Sequence, residues 1–321
     1  MTPRSGLVRH RVIEPFERFW FEEVPSDVFA LARIAIGVAG LISLIGSVPV
    51  EMFWSPDGIF PLPGGGYDLK GNIVGSGFGG AVGWALFLTL LGSFVCMTVG
   101  LFTSTAVVTC FVGSVFQGYW NVLPLTSGHA LLKTALFCLV WADCGARLSV
   151  DARRSPVGVA GAQAIWPLRL IRAQVAIVYL SSGLFKLLGP AWRDGSAIHF
   201  TTGQNVYGRI FQAHALPANL DWLLTAITYA TMFWELSFVF LLLNRVTRKV
   251  VLAIGVAVHL GILATMEVGP FTWMMLACYV AFLDPHAVAQ FMSRRFDAVS
   301  APADGVPNRA SAATVSSTPA A

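Results

Sequence analysis

The sequence predicts an all-α membrane protein, a polytopic bundle of about eight transmembrane helices, and two observations carry that expectation. Charged residues make up only 12% of the 321 residues and hydrophobic ones 55%, with a mean hydropathy of +0.68. A soluble domain carries roughly 25% charged residues. Apolar runs of the right length also recur along the whole chain, and a span needs about 20 such residues.

Taken in order, residues 1–27 come first, "MTPRSGLVRHRVIEPFERFWFEEVPSD". They hold no short apolar core with a cleavage site, so they read as a retained cytoplasmic segment and not as a signal peptide. Candidate spans follow near 28–46, 81–101, 103–120, 128–145, 165–187, 222–243, 249–267 and 268–284. The third and the eighth are short. No charge occurs between Lys70 and Lys133, so the boundaries there rest on Gly100, Thr103-Ser104 and Pro124. The Gly64-Gly65-Gly66 run reads as a flexible external loop. The transmembrane domain thus extends over 28–290. Residues 291–321 form a cytoplasmic tail whose small, polar composition from Ser300 onward predicts disorder.

Charge placement orients the bundle. With the N-terminus inside, the inner segments hold Arg4, Arg9, Arg11, Arg18, Arg147, Arg153, Arg154, Arg245, Arg248, Lys249, Arg294, Arg295 and Arg309. The outer segments hold only Lys70, Arg193 and Arg209. Short cytoplasmic loops are enriched in Lys and Arg, so both termini are expected on the cytoplasmic side of a cell membrane. Several function classes are disfavoured. The basic residues form no stripe suited to nucleic acid, and no inverted repeat of the transporter kind is visible. Cys96, Cys110, Cys138, Cys144 and Cys278 have no paired spacing and read as small hydrophobes. The histidines show neither HxxxH nor HExxH, so no metal site is expected. There is no phosphate loop and no GxSxG elbow.

Ionisable groups inside spans are costly and mark function by default. Arg33, near the inner end of the first span, reads as a snorkelling side chain. Arg172, Tyr179 and Lys186 are spaced by seven along the fifth span, and Ser182 precedes Lys186 by four, so all share one helix face. Lys186 falls near the outer surface. It is either an anchor reaching the headgroups or a reactive amine. His129 and Lys133, four apart at the outer end of the fourth span, fall at a similar depth. Cations converging there would push one amine toward neutrality, and a neutral lysine is a usable base. Glu235 lies well inside the sixth span, with Thr228 and Thr231 on its face, and His259 lies near the middle of the seventh. They are expected to face the interior, either as a structural hydrogen-bonded pair or as part of a proton relay or ligand contact.

These residues sit in stretches that resemble a known family: "FWSPDGIFPLP", "SGHALL…RLSVDA", "LRLIRAQVAIVYLSSGLFKLLGPAWRDGSAI" and "WELSFVFLLL…VAVHLGI…GPFTWMMLACYVAFL". Over about residues 16–290 the chain resembles the horizontally transferred transmembrane (HTTM) family, which includes the membrane domain of vitamin K-dependent gamma-carboxylase. The resemblance implies that Lys186 is a catalytic base acting on a reduced, vitamin K-like quinone, that His129 belongs to the same site, and that His259 is a motif histidine. Tyr179, Ser182, Lys133, Glu235 and His259 become candidate substrate-binding residues. It implies a lumen-facing or outward-facing site, matching the side on which charge placement puts Lys186. Nothing in the sequence corresponds to the large luminal domain with which the carboxylase binds its protein substrate. Short relatives in the family help mature small secreted peptide toxins, so an accessory role in peptide maturation or export is the alternative to an enzyme.

Overall fold

The computed structural model describes residues 14–55, 78–120, 126–154, 161–203, 221–266 and 268–300. The Gly64-Gly65-Gly66 run, Lys70, Pro124, Arg209, the first 13 residues and the tail beyond Ser300 lie outside the described residues.

The helices form where apolar runs are unbroken and stop where Gly, Pro or charge interrupts them. In chain order they are α1 (Glu14–Phe21), α2 (Asp27–Ile45), α3 (Val50–Trp54), α4 (Gly79–Val99), α5 (Thr103–Trp120), α6 (Ser127–Val140) and α7 (Val150–Arg154). Then come α8 (Trp166–Leu188), α9 (Pro190–Arg193), α10 (Ala197–Gly203), α11 (Asp221–Leu243), α12 (Arg245–Thr265), α13 (Phe271–Tyr279) and α14 (Pro285–Ser300). A 3-10 turn, Val280–Phe282, closes α13. Two three-residue strands, β1 (Glu23–Pro25) and β2 (Ala162–Ala164), pair antiparallel with Val24 opposite Gln163.

The all-α polytopic bundle is as expected; the number of spans is smaller by strict length and composition. Among the described residues α2, α4, α8, α11 and α12 are long and apolar enough to cross a membrane, and there are six if α13 and α14, bent by 90°, count as one span. The helix α6 is apolar but has only 14 residues. The polar Thr, Ser and Gln content of α5 lowers its hydropathy and keeps it out of that set.

Side-chain and backbone contacts nevertheless sort the segment ends into two groups. At one end, the β1–β2 ribbon joins the start of α2 to the start of α8, and Asp151 of α7 binds the start of α5. At the other end, Ser43 near the end of α2 meets His129 at the start of α6, and Trp120 closing α5 meets Trp54 of α3. The chain therefore runs back and forth between two ends. The exposed apolar residues, including Leu184, Phe185, Phe233 and Phe240, lie along the flanks, where a bilayer would cover them.

Arg33 does not snorkel. It is fully buried, donating from Nη1 to the Cys144 carbonyl (3.0 Å) and from Nη2 to the Leu148 carbonyl (2.6 Å). Those carbonyls belong to the irregular stretch between α6 and α7, whose backbone groups find no helical partner and need this donor. Residues 285–300, ahead of the stretch expected to be disordered, form a helix. After α13 the chain turns by 90° into α14, which buries Met292.

Candidate functional site

Three of the four polar residues of the α8 stripe find a partner inside the bundle. Arg172 donates to the Ala281 carbonyl (2.6 Å). Tyr179, buried, has its hydroxyl 2.6 Å from His259 Nε2 and 2.5 Å from the Tyr279 hydroxyl. Lys186 donates from Nζ to Glu235 Oε1. Ser182 makes no hydrogen bond among the described residues. The seven-residue spacing puts all three partners on one face because α8 is a continuous helix, and that face meets α11, α12 and α13.

Helix α8 comes close enough to α11 for this because Gly183 has no side chain. A Cβ at that position would lie 2.9 Å from Leu236 Cγ and 3.2 Å from the Leu236 backbone nitrogen. Glu235, next to Leu236, thereby comes within reach of Lys186. The Trp234 and Phe238 rings close on Tyr179 with centroids at 4.7 and 4.2 Å. At the end of α8, Gly189 closes the helix and Pro190 starts α9, which places the Trp192 ring 4.6 Å from Lys186 Nζ. The Trp192 indole thus covers Lys186, and aromatic rings surround Tyr179 further along the same face. Glu235 Oε2, Trp234 Nε1, His259 Nδ1 and Thr272 Oγ1 are buried and make no hydrogen bond.

Glu235 and His259 are both buried, at 7% and 2% exposure, as expected of charges in spans, but they do not pair with each other. Glu235 pairs with Lys186, and His259 with Tyr179. Lys186 is instead neutralised by Glu235, and among the described residues no hydrogen bond or ion pair links it to His129 or Lys133. A carboxylate stands where a second amine was expected. Lys133 is half-buried on α6 and makes no ion pair among the described residues.

His129 does a different job. The Thr126 backbone N–H donates to its Nδ1 (3.1 Å), capping the start of α6. With Nδ1 accepting, the neutral ring carries its proton on Nε2, which donates to Ser43 Oγ at 3.2 Å. His129 and Ser43 line a cavity of about 380 Å³ with Trp54, Gln117, Trp120 and Trp273. The first turn of α13 separates this cavity from the Tyr179–His259 cluster. Trp273 lines the cavity, while Phe271, on the opposite face, meets the His259 ring at 5.9 Å.

A model describing the HTTM domain matches residues 81–286, more than half of the chain. The chain belongs to the HTTM family. That match takes in α4 through α13, and so every residue of the Lys186 cluster and His129. No curated protein and no solved structure matches this HTTM chain.

Sequence reasoning missed three members of the cluster. Tyr279 lies in the apolar run "LACYVAF", and seven-residue spacing from Thr272 would have placed it on an inward face. Trp192 follows the Gly189-Pro190 break and reads locally as an interfacial aromatic. Trp234 adjoins Glu235 in a helix rich in exposed aromatics, where nothing marks one ring as buried.

Proposed function

We propose that this HTTM protein is a membrane enzyme that deprotonates a weakly acidic hydroxyl on a lipid-soluble substrate, a hydroquinone being the favoured class, at the Lys186–Glu235 pair. The observation that carries this is an ion pair held within the bundle, at 17% and 10% side-chain exposure, with one carboxylate oxygen left without a partner. Ion pairs kept only for packing satisfy their remaining atoms. Exposed Leu184, Phe185 and Phe233 give the flanks of α8 and α11 an apolar surface suited to a lipid-soluble molecule, while Glu235 Oε2 itself is buried. The surroundings suit such a substrate, with the Trp192 indole against Lys186 and one acceptor for a hydroxyl. A hydroquinone, once deprotonated, supplies redox chemistry of its own. Tyr179, bonded to His259, lies further along the same face of α8, and His129 and its cavity stand apart from the reacting pair.

The charge distribution supports an outward-facing site. The end carrying the β1–β2 ribbon holds exposed Arg18, Arg153, Arg154, Lys249, Arg294 and Arg295, and the end carrying Lys186 holds few cations, which by the positive-inside tendency is the extracytoplasmic side.

The test is the neutral lipid that accompanies the protein. Purified wild-type protein is expected to carry a quinone that the monodisperse fraction of Lys186→Ala protein, compared at equal protein concentration, does not retain. The absence of any quinone or aryl alcohol from the wild-type extract would sink the substrate class and leave the accessory role in peptide maturation as the better reading.

A further inference from the structure

We propose that Glu235 is the group that takes the substrate proton, and that Lys186 stays a cation and stabilises the anion left behind. The proposal rests on the reading of the Lys186–Glu235 pair as the reacting site and divides the labour within it.

Three features of the geometry point this way. Lys186 Nζ is bonded to Glu235 Oε1 and lies 4.6 Å from the centre of the Trp192 ring. The face of an indole attracts an ammonium and offers a neutral amine little. Glu235 Oε2 is buried and accepts no hydrogen bond, although an ionised carboxylate has acceptor sites on both oxygens. A neutral lysine here would also leave the Glu235 carboxylate buried without its cation, an arrangement that is strongly destabilising. The free acceptor is therefore on the carboxylate, and the remaining N–H donors are on the ammonium.

The step balances within the site. The substrate O–H bond breaks, its proton forms a bond to Glu235 Oε2, and the electron pair stays on the substrate oxygen. A remaining Nζ–H of Lys186 donates to that oxyanion. The site begins with an ammonium, a carboxylate and a neutral hydroxyl, and ends with an ammonium, a neutral carboxylic acid and an aryl oxide. Its total charge is unchanged, and the cation never lacks an anion beside it. Fixed charge aimed at a developing oxyanion in a water-poor site is among the strongest catalytic effects available.

The experiment uses 2-naphthol, an aryl alcohol whose anion absorbs at longer wavelength than the neutral form, added to the full-length protein in lipid nanodiscs at neutral pH. Binding is read separately from the quenching of tryptophan emission. Wild-type protein is expected to give the naphtholate band. Lys186→Arg, which keeps a cation but has no accessible neutral form, is expected to keep the band. Glu235→Gln is expected to lose it while still binding naphthol. The reverse pattern, with the band lost in Lys186→Arg and kept in Glu235→Gln, would overturn the division of roles while leaving the site itself standing. A wild-type protein that binds naphthol without forming the anion would overturn the site reading and this proposal together. Should Glu235→Gln fail to fold, Lys186→Arg decides alone, since retention of the band supports the proposal and its loss refutes it.

Discussion

Lys186 and Glu235, 49 residues apart in the sequence, meet as an ion pair between α8 and α11, and each is the other's only ionic partner among the described residues. Two charges drawn out of water give up several kcal/mol of solvation each, on an order-of-magnitude scale, and their mutual attraction roughly offsets that loss. Such a pair is poor evidence for stability and better evidence for a function that needs both charges.

A first prediction follows from that balance. Glu235→Leu leaves an ammonium, and Lys186→Met a carboxylate, without a counter-ion in an apolar setting; each is expected to destabilise the bundle by about 3 kcal/mol. The double variant removes both charges and should recover most or all of the loss, since neighbouring substitutions of this kind are not additive. Thermal unfolding of the four proteins in one detergent measures it. A double variant as unstable as the worse single one would mean that shape, and not charge balance, holds the helices together.

Much of this was legible in the sequence. The Arg172–Tyr179–Lys186 spacing fixes one face of α8 by helix geometry alone, and the burial of Glu235 and His259 follows from the cost of exposing them to lipid. What could not be read was which polar residues meet. Glu235 and His259 on consecutive helices looked like natural partners, yet the close approach at Gly183 brings Glu235 to Lys186 instead, and Tyr279, on a helix of only nine residues, completes the Tyr179–His259 contact. Pairings between spans depend on depth and rotation, and a periodicity of 3.6 fixes neither across two helices. The capping role of His129 was closer to the surface of the sequence, since Thr126 precedes it by three, the spacing of a capping box.

A second prediction concerns the wall between the His129 cavity and the His259 cluster. A Cβ on Gly128 would lie 2.7 Å from the Phe271 backbone nitrogen and 2.8 Å from its Cα. Backbone cannot rotate away as a side chain can, so Gly128→Ala must push α6 from α13. Overpacking of this kind costs roughly 1–3 kcal/mol. The loss should appear as a lowered unfolding temperature, together with altered tryptophan emission from Trp273 and its neighbours in the cavity. An alanine variant of unchanged stability would show that α13 has room to move at its first turn.

A third prediction is a pH dependence at the opposite end. Asp151 accepts from the Phe102 N–H (3.0 Å), the Thr103 N–H (2.7 Å) and the Thr103 hydroxyl (2.7 Å) at the start of α5. Partial burial works against its ionisation, but these hydrogen bonds, helped by Arg154, outweigh it and hold the carboxyl below its usual range. A carboxyl whose folded value is depressed contributes fully above its unfolded value, and that contribution is lost as pH falls through the folded value. Asp151→Asn is therefore expected to destabilise the protein at neutral pH by about 1 kcal/mol, as loss of a helix cap does, and to flatten its acid-induced loss of stability. Identical acid titrations for the two proteins would remove Asp151 from the account.

The last prediction tests which way the bundle faces, on which the access of any substrate to Lys186 depends. Asp194 and Arg154 are both exposed, the first in the turn that follows Trp192 and the second at the end of α7, so they mark opposite ends of the bundle. Asp194→Cys is expected to react with a membrane-impermeant maleimide in intact cells, and Arg154→Cys only after the membrane is opened. The native cysteines serve as their own control, since Cys110, Cys138, Cys144 and Cys278 are buried and only Cys96 is partly accessible, on the flank of α4. Electrostatics favours this orientation, because exposed arginines collect at the ribbon end and translocating them is costly. It is independent of the chemistry proposed at Lys186. Labelling of Arg154→Cys from outside would turn the bundle over, and Lys186 and Glu235 would then meet their substrate from the cytoplasmic leaflet.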